Sequence, residues 1–379
     1  MSAATNSLRV LIAGGGTGGH LFPGIALAEE VIARPGGQVL FVGTAHGLEA
    51  NVVPAAGYSL ELLDVRGLKR MGFGGLLRGS SLLPRAFAKS LRILRKFRPD
   101  VVVGVGGYAS GPMVLAAALA GYPTAIQEQN SVPGITNRIL GKFARAVFLA
   151  FDDARRFFAP AKVDLLGNPV RRRFVDAAVA VKASAAIDPS ARRRLLVVGG
   201  SQGARAVNDL VTAAAGILRD YDALPLVVHQ TGAADRDRIA ARYGELGLRE
   251  LVEVRPFIDD MAAAYAAADL VVGRAGALTL AELAVIGRPA ILIPLPTAAD
   301  DHQTRNAAEL ERAGAAVVLA QVGATPATLA ELITALLTDE PRRRAMAAAM
   351  AGLARPDAAR RIVDALCEIA RPHGASRVS

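Results

Sequence analysis

Three glycine-rich segments stand where an apolar run gives way to a helical pattern, and each could bind a phosphate group. They are Gly14–Gly19, Gly104–Gly111 and Gly199–Gly203. Glycine lets the backbone approach a ligand closely, and the exposed N–H groups at the start of a helix attract anions. A tight structural turn explains any one segment alone, but three in one chain favour phosphate or diphosphate binding.

The first glycine segment ends at His20, whose side chain could take part in acid–base chemistry. Unlike glycine, histidine is not required at this position by the backbone. The positive end of a helix disfavours the protonated imidazolium, so we expect a neutral imidazole that can accept a proton. The alternative is that His20 only hydrogen-bonds its own turn.

The spacing Gly14-x-Gly16-x-x-Gly19 also matches the dinucleotide fingerprint, which makes an oxidoreductase the competing interpretation. That fingerprint requires an acidic residue at the end of the second strand to bind a ribose diol. The strand "LFVG" is followed by no acid before Glu49, and the strand "LVVHQTG" after the Gly199–Gly203 segment also lacks one. Both halves therefore disfavour a nicotinamide cofactor. A non-catalytic nucleotide-sugar or lipid-binding scaffold is a further alternative.

The elements that position these segments alternate between apolar runs and helical patterns along the whole chain. This alternation predicts parallel, doubly wound sheets. The predicted strands are Arg9–Ala13, Gln38–Val42, Asp100–Gly104, Thr124–Gln127 and Ala146–Leu149 in the first half, and a run from Arg194, Leu226–His229, Leu251–Val254, Leu270–Val272, Ala290–Ile293 and Ala316–Leu319 in the second. The predicted fold class is α/β, with two Rossmann-like doubly wound parallel-sheet domains facing across a cleft.

The boundaries of the two domains follow from composition. We predict an N-terminal domain over residues 1–166, a linker over 167–193 and a C-terminal domain over 194–355. A helix within residues 356–372 is expected to complete the N-terminal domain.

The composition is that of a chain able to form large cores without covalent links. Of its 379 residues, 52% are hydrophobic, and the single cysteine, Cys367, excludes an internal disulfide framework. We interpret Cys367 as a small buried hydrophobe. The uncharged stretch Val101–Gln127 is divided by glycine and proline into pieces too short to span a bilayer, and no secretory signal is visible. The chain is therefore expected to be soluble or peripheral to a membrane.

The net charge of +10 is concentrated in one window between Arg66 and Arg98, which contains no acidic residue. Its basic residues are Arg66, Lys69, Arg70, Arg78, Arg85, Lys89, Arg92, Arg95, Lys96 and Arg98. The partner of this surface is expected to be anionic. No nucleic-acid-binding motif accompanies the window, so we expect no nucleic acid partner.

Seven motifs resemble the MurG family of bacterial peptidoglycan glycosyltransferases. They are "GGTGGHLFPG", "GVGGYASGP", "QEQNSVPGITN", "LLGNPVR", "VVGGSQGARAVN", "FIDDMAAAYAAADLVVGRAGALTLAEL" and "DDHQTRNA". They occur in the order found in that family, from about residue 8 to residue 320. Plant enzymes that make galactolipids share some of these features, but "QEQN" and "GNPVR" point to the bacterial family.

The resemblance implies a GT-B fold and an inverting, metal-independent transfer of N-acetylglucosamine that uses no cofactor. The donor would be UDP-N-acetylglucosamine. The acceptor would be the 4-hydroxyl of lipid I, the muramyl pentapeptide linked to undecaprenyl diphosphate, and the product lipid II. The expected location is the cytoplasmic face of the bacterial inner membrane.

The resemblance also implies a set of substrate-binding residues. The loop from Arg274 into the helix after it would bind the donor diphosphate, Glu282 the ribose, the Ile258 backbone the uracil, and Gln303 the sugar. The alternative for Glu282 is an acid in the first helical turn that stabilises the helix dipole. The full set is Thr17, Gly18, Gly19, Asn130, Arg171, Ser201, Ile258, Ala277, Leu278, Thr279, Leu280, Ala281, Glu282 and Gln303. At His302 the chain departs from the usual glutamine of the family, which puts one contact to the sugar in doubt.

His20 is the leading candidate for the base that deprotonates the acceptor hydroxyl, and Glu128 is the second candidate. The alternative for Glu128 is a hydrogen-bond acceptor at a strand end.

The segment Leu68–Phe97 is expected to dock on an anionic membrane surface, because apolar and basic residues interleave along it. A helix with a core face and a solvated basic face is the alternative. That alternative fits Ser90–Phe97, but glycine and serine are expected to interrupt any helical stripe before it.

Overall fold

In a computed structural model, residues 8–65, 73–183, 192–200, 202–220 and 224–370 are described. The chain forms two compact units. The N-terminal unit comprises Met1–Arg171 together with Pro356–Ser379, and the C-terminal unit comprises Arg172–Arg355.

The N-terminal unit is built on a seven-stranded sheet in which all described strand pairs are parallel. Its strands are β1 (Arg9–Gly14), β2 (Gln38–Gly43), β3 (Ser59–Leu62), β4 (Val101–Gly106), β5 (Thr124–Glu128), β6 (Ala146–Leu149) and β7 (Val163–Leu165), in the order β3-β2-β1-β4-β5-β6-β7. Its helices are α1 (Gly18–Ile32), α2 (Glu49–Ala55), α3 (Phe73–Phe97), α4 (Ser110–Leu119), α5 (Ile135–Leu140) and α14 (Ala358–Ile369).

Both faces of this sheet are covered, which explains why the central strand β4 (VVVGVG) has no polar side chain and β1 has none after Arg9. Val10 and Ile12 pack in the core that includes residues of α1 and α14. Leu11 and Ala13 point to the opposite face and pack in the core that includes residues of α3 and α4. The alternation follows from the two-residue period of a strand.

Helix α14 returns to the N-terminal unit and packs against α1, with Ile362 and Leu366 fully buried. An ion pair of 2.6 Å joins Arg34, which follows the end of α1, to Asp364 of α14. The interpretation of Cys367 as buried was wrong, because Cys367 lies on the exposed side of α14, where its Sγ atom is 3.1 Å from Arg34 Nη1.

The C-terminal unit repeats the same plan with a six-stranded sheet whose described strand pairs are parallel. Its strands are β8 (Arg194–Val198), β9 (Leu226–Gln230), β10 (Val252–Arg255), β11 (Leu270–Gly273), β12 (Ala290–Leu292) and β13 (Ala316–Val318), in the order β10-β9-β8-β11-β12-β13. Its helices are α6 (Arg172–Ala183), α7 (Arg205–Asp220), α8 (Arg236–Glu245), α9 (Met261–Ala267), α10 (Ala277–Ile286), α11 (His302–Arg312), α12 (Pro326–Thr338) and α13 (Glu340–Gly352).

Each sheet has one point at which the strand order changes direction. It lies between β1 and β4 in the N-terminal unit and between β8 and β11 in the C-terminal unit. The loops that leave the carboxyl ends of two such strands diverge to opposite faces of the sheet and leave a crevice, in which open α/β folds bind their ligands. The glycine-rich segments of the sequence all occupy these loops.

The predicted α/β class with two Rossmann-like parallel-sheet domains is confirmed, and all eleven predicted strands are present. Two strands were missed, β3 and β7, which are short and lie at the sheet edges. The segment predicted as the linker divides between the units, since helix α6 packs on α9 and α10 of the C-terminal unit. Among the described residues, no helix is both long and apolar enough to cross a membrane.

Helix α3 runs unbroken from Phe73 to Phe97, so the glycines and serines that were expected to interrupt a helical stripe do not interrupt the helix itself. A glycine lowers helix stability by only about 1 kcal/mol, so a few of them do not end a long helix. Its second half is anchored in the core through Ile93 and Leu94. Residues 66–72, which include the start of the predicted membrane-docking segment, lie outside the described residues.

Candidate functional site

The first glycine segment forms the turn from β1 into α1 and lies at the switch point of the N-terminal sheet. Gly15 and Gly16 have φ values of 141° and 90°, which only glycine adopts readily. A β-carbon on Gly14 would overlap the carbonyl oxygen of Gly106, which ends the adjacent strand β4. The two glycine segments of the N-terminal unit are therefore in backbone contact, with Gly15 N donating to Gly106 O at 3.2 Å.

The predicted binding residues Thr17, Gly18 and Gly19 form the start of α1. Thr17 is the exposed N-cap residue, with extended backbone angles, and Gly19 is exposed in the first turn. The N–H groups of a first helical turn have no acceptor within the helix. This end of α1 can therefore donate hydrogen bonds to an anionic ligand.

Glu49, to which the sequence assigned no role, holds the glycine turn in place. Its carboxylate is only 1% exposed and accepts hydrogen bonds from Gly16 N at 2.6 Å and from both Thr44 N and Thr44 Oγ1 at 2.8 Å. β-Carbons on Gly15, Gly43 or Gly47 would each overlap the Glu49 side chain. Glycines from three positions therefore make room for one buried carboxylate.

His20 lies in the first turn of α1 and is half-buried. Its Nδ1 atom is 3.0 Å from Oε1 of Gln129, which follows β5. A β-carbon on Gly106 would lie 2.6 Å from His20 Nδ1, so glycine at this position gives the imidazole its space.

Glu128 ends β5 and is 1% exposed. Its Oε1 accepts the backbone N–H of Asn130 at 2.9 Å, and its Oε2 accepts Asn137 Nδ2 at 2.8 Å. Burial raises the pKa of Glu128 above its ordinary value, and the hydrogen bonds from the two asparagines and the electrostatic interaction with His20 offset this only in part. The carboxylate thus holds the loop after β5, as expected of a strand-end acceptor.

The remaining predicted residues of this unit lie near the same edge of the sheet. Asn130 follows Gln129 and is half-buried beside Glu128. Arg171 stacks its guanidinium 4.1 Å from the centre of the Phe22 ring in α1. The same ring lies against Gly18, where a β-carbon would be 3.0 Å from it. Phe22 therefore connects Arg171 to the start of α1.

In the C-terminal unit, the glycine segment after β8 packs against the loop after β9. A β-carbon on Gly203, whose φ is 75°, would overlap the carbonyl oxygen of Thr231. Ser201, a predicted donor contact in this segment, lies outside the described residues.

The predicted uracil-binding residue Ile258 is tied to the same glycine segment through Gln230. Gln230 Nε2 donates to Gly200 O at 3.0 Å, and its Oε1 accepts the N–H of Ile258 at 3.3 Å. Ile258 is buried. The side chain of Gln230 therefore fixes the distance between the glycine segment and the backbone predicted to meet the base.

The loop after β11 is the partner of that segment, because β8 and β11 are neighbours and Val198 pairs with Gly273. Gly276 caps α10, and Arg274 Nη1 donates to the carbonyl oxygens of Ile293 at 3.0 Å and Pro294 at 3.1 Å. Burial lowers the pKa of Arg274. The predicted diphosphate-binding loop is thus a helix N-terminus with a guanidinium beside it.

Six of the predicted donor-binding residues, 277–282, lie in the first two turns of α10. Leu278, Thr279 and Ala281 are half-buried, and Ala277, Leu280 and Glu282 are buried. Glu282 is the sixth residue of the helix, and the first turn of α10 has no acidic residue. The alternative interpretation of Glu282 as a first-turn acid is therefore wrong.

Gln303 lies in the first turn of α11, with its Oε1 accepting the N–H of Leu295 at 3.0 Å. The chain enters this helix through Asp300 and Asp301, both with φ of 53°. Left-handed backbone at two successive non-glycine residues is strained, and such strain clusters at functional sites. His302 follows directly in the first turn of α11.

Behind the glycine segment of the C-terminal unit lies a buried polar network that sequence reasoning missed. His229 is fully buried, with Nδ1 3.0 Å from Tyr243 Oη and Nε2 3.2 Å from Asn208 Oδ1. Asn208 Nδ2 donates to Asp235 at 2.9 Å. Burial lowers the pKa of His229 to about 3, so this imidazole is neutral and structural.

Three further residues that sequence reasoning missed, Glu49, Gln129 and Gln230, are buried and hold loops through their side chains. Gln129 is part of the "QEQN" motif, which was the signal that could have identified it. Glu49 is the first acidic residue after the strand "LFVG". Within the described ranges, no cluster of three or more His, Cys, Asp or Glu residues could hold a metal ion.

Comparison with known proteins agrees with this arrangement. The glycosyltransferase family 28 N-terminal domain matches residues 10–149, and the family 28 C-terminal domain matches residues 194–362. The chain is 54% identical to the UDP-N-acetylglucosamine--N-acetylmuramyl-(pentapeptide) pyrophosphoryl-undecaprenol N-acetylglucosamine transferase of Anaeromyxobacter sp. strain Fw109-5, over 96% of this chain and 94% of that one. It is 50% identical to the enzyme of that name from Myxococcus xanthus, over 96% and 93% of the two chains.

A solved structure, that of Acinetobacter baumannii MurG, is also similar. Its TM-score is 0.75 at 32% identity, and the alignment covers 95% of this chain and 99% of that chain.

Proposed function

The chain belongs to the MurG family of glycosyltransferases, and from this premise we propose that it transfers N-acetylglucosamine from UDP-N-acetylglucosamine to lipid I, giving lipid II. The observation that carries the proposal is the pairing of glycine loops at the switch point of each sheet. Such crevices bind phosphate-bearing ligands, and this reaction has two, the donor and the acceptor.

The C-terminal unit would bind the donor. The N–H groups in the first turn of α10 have no acceptor within the helix, and the loop before this helix contains the positively charged Arg274. Together they would stabilise the negative charge that develops on the departing UDP. The adjacent loop, with Ser201, would supply further contacts.

Three further contacts would orient the donor. The buried carboxylate of Glu282 would accept hydrogen bonds from the two ribose hydroxyls. The Ile258 backbone would meet the uracil, and Gln303, whose Oε1 is held by Leu295 N, would donate through Nε2 to a sugar hydroxyl.

The N-terminal unit would bind the acceptor, with its diphosphate near the start of α1. His20 would act as the base, because it is half-exposed in that first helical turn. Glu128 is less suited to this role, since the carboxylate is buried and each of its oxygens accepts a hydrogen bond from an asparagine.

The proposed chemistry is a single displacement. His20 takes the proton of the acceptor 4-hydroxyl as its oxygen bonds to the anomeric carbon of N-acetylglucosamine. The bond from that carbon to the UDP oxygen breaks with its electron pair, so UDP leaves and the configuration inverts. General base catalysis of this kind contributes about 10²- to 10⁴-fold.

The acceptor carries a polyprenyl chain, so we propose that the protein works at the cytoplasmic face of the bacterial inner membrane. The described half of α3 exposes Arg85, Arg92 and Arg95, while its apolar residues Ile93 and Leu94 are buried in the core. The basic face of α3 would therefore attract anionic lipid by charge.

Turnover with defined substrates tests the proposal. Purified protein mixed with UDP-N-acetylglucosamine and lipid I should release one UDP for each lipid II formed. Addition of EDTA should leave the rate unchanged, and NAD(P) should not bind by calorimetry while UDP does. The absence of lipid II under these conditions would refute the assignment.

A further inference from the structure

The side chain of Gln129 has only one chemically consistent orientation. Its Nε2 lies 3.0 Å from the carbonyl oxygen of Val105 and 3.2 Å from that of Gln127. An amide nitrogen donates to both, whereas the reversed amide would place an oxygen against two other oxygens. The remaining atom, Oε1, is therefore the one that lies 3.0 Å from His20 Nδ1.

This orientation determines which nitrogen of His20 carries the proton. An amide oxygen only accepts hydrogen bonds, so Nδ1 must donate, and in a neutral imidazole Nε2 is then unprotonated. We propose that Gln129 is a positioning residue that holds His20 in the Nδ1–H tautomer, leaving Nε2 free to accept the proton of the acceptor hydroxyl. The catalytic half of this statement rests on the proposed function, while the tautomer itself does not.

The surroundings make the constraint rigid. Gln129 is 2% exposed, and its amide links the end of β4, through Val105, to β5, through Gln127. If Nδ1 lost its proton, the buried Oε1 would lose its partner, which is costly in a site away from water. The same principle operates when a carboxylate fixes the histidine of a hydrolytic triad, although here the orienting group is neutral.

Glu128, which precedes Gln129 in the chain, also interacts electrostatically with His20. The two oxygens of Glu128 accept hydrogen bonds from Asn130 and Asn137, whereas the acceptor for the ring N–H of His20 is Gln129 Oε1. The hydrogen bond that orients the imidazole is therefore made to Gln129 and not to the neighbouring Glu128.

Nuclear magnetic resonance of ¹⁵N-histidine-labelled full-length protein tests the tautomer directly. The chain has five histidines, and loss of one signal set in His20→Gln assigns His20. We expect a protonated Nδ1 and an unprotonated Nε2 in the unsubstituted protein. A protonated Nε2 on neutral His20 would overturn the proposal without any variant.

Substitutions then test the role of Gln129. Gln129→Met removes the acceptor at similar size, so the Nε2–H tautomer should become dominant. We expect kcat to fall about 10- to 100-fold, part of what a general base supplies, with the KM for UDP-N-acetylglucosamine unchanged. Gln127→Met is the matched control, because its buried side chain donates to Gly167 O and not to His20.

The outcomes separate the two claims. Unchanged kcat in a Gln129→Met protein with the altered tautomer would refute the catalytic role of the tautomer. An unaltered tautomer in that protein would refute the role of Gln129. Failure of the unsubstituted protein to make lipid II would refute the proposed function, whereas its spectrum would still decide the tautomer.

Discussion

The carboxylate of Glu49 holds the backbone N–H of Gly16 at 2.6 Å across 33 residues of sequence. An internal carboxylate thus occupies the inner side of the first glycine turn, between Gly16 and Thr44. Its negative charge disfavours a second anion at the same N–H groups. The ligand phosphate is therefore expected on the outer side of this turn, at the start of α1.

Glu49→Ala should weaken both the turn and the reaction. Removal of the carboxylate leaves the N–H groups of Gly16 and Thr44 unpaired, and we expect a loss of about 2 kcal/mol in the free energy of unfolding. Glu49→Gln retains an acceptor and should lose less. Denaturant titration and steady-state turnover measure the effects. Glu61→Ala, at an exposed ion pair with Lys96, is the control and should change stability by less than about 1 kcal/mol.

His20→Ala should impair catalysis, whereas Glu128→Gln should mainly lower the stability of the fold. His20→Ala should lower kcat by about 10²- to 10⁴-fold and leave the donor KM and the unfolding curve nearly unchanged. Glu128→Gln places an amide group against the asparagine donors and should lower the free energy of unfolding by about 1–3 kcal/mol. If His20→Ala kept full turnover, the base would have to be another group.

Glu282→Ala should weaken donor binding. Loss of hydrogen bonds to a charged acceptor is worth about 1.5–3 kcal/mol, which corresponds to roughly 10- to 150-fold in the dissociation constant for UDP. Calorimetry with UDP measures this directly. Glu253→Ala, an exposed carboxylate paired with Arg255 in the same unit, should bind UDP as the unsubstituted protein does. Equal affinity of the Glu282→Ala and Glu253→Ala proteins would remove Glu282 from the ribose site.

Buried His229 makes stability depend on pH. Its pKa is about 3 in the folded protein against 6.5 for an ordinary histidine, so between these values the unfolded chain binds a proton that the folded chain does not. The free energy of unfolding should therefore fall as the pH falls from 6.5 towards 3, by up to about 1.4 kcal/mol per pH unit from this group. His229→Gln should remove that contribution to the slope, whereas His46→Gln, at an exposed position, should retain it.

The basic face of α3 should determine binding to anionic vesicles. Reversing two charges, Arg92→Glu and Arg95→Glu, should weaken sedimentation with phosphatidylglycerol vesicles by at least about tenfold, at about 1 kcal/mol per basic residue. Arg236→Glu with Arg242→Glu makes the same charge change on exposed positions of α8 and should have a smaller effect. Equal losses in both proteins would indicate net charge alone rather than a docking face.

Most strands could be predicted because their signal is local. A run such as Leu195–Val198 is buried on both faces and reads as apolar at every position. The missed strands β3 and β7 carry a charged residue each and lie at sheet edges, where one side is unpaired. The continuation of α3 through its glycines was also missed, because propensity is a weak guide when the rest of a helix is packed.

The sequence by itself determined the two α/β domains, the glycine turns, the His20 candidate and the family, since periodicity, glycine and ordered motifs are properties of nearby residues. Only the tertiary structure decided that Glu49 fills the first turn, that Glu128 is committed to asparagines, and that Gln129 sets the proton of His20. The Gln129–His20 contact joins residues 109 positions apart. A hydrogen bond has a range of about 3 Å, so such partners are defined only once neighbouring strands bring their ends together.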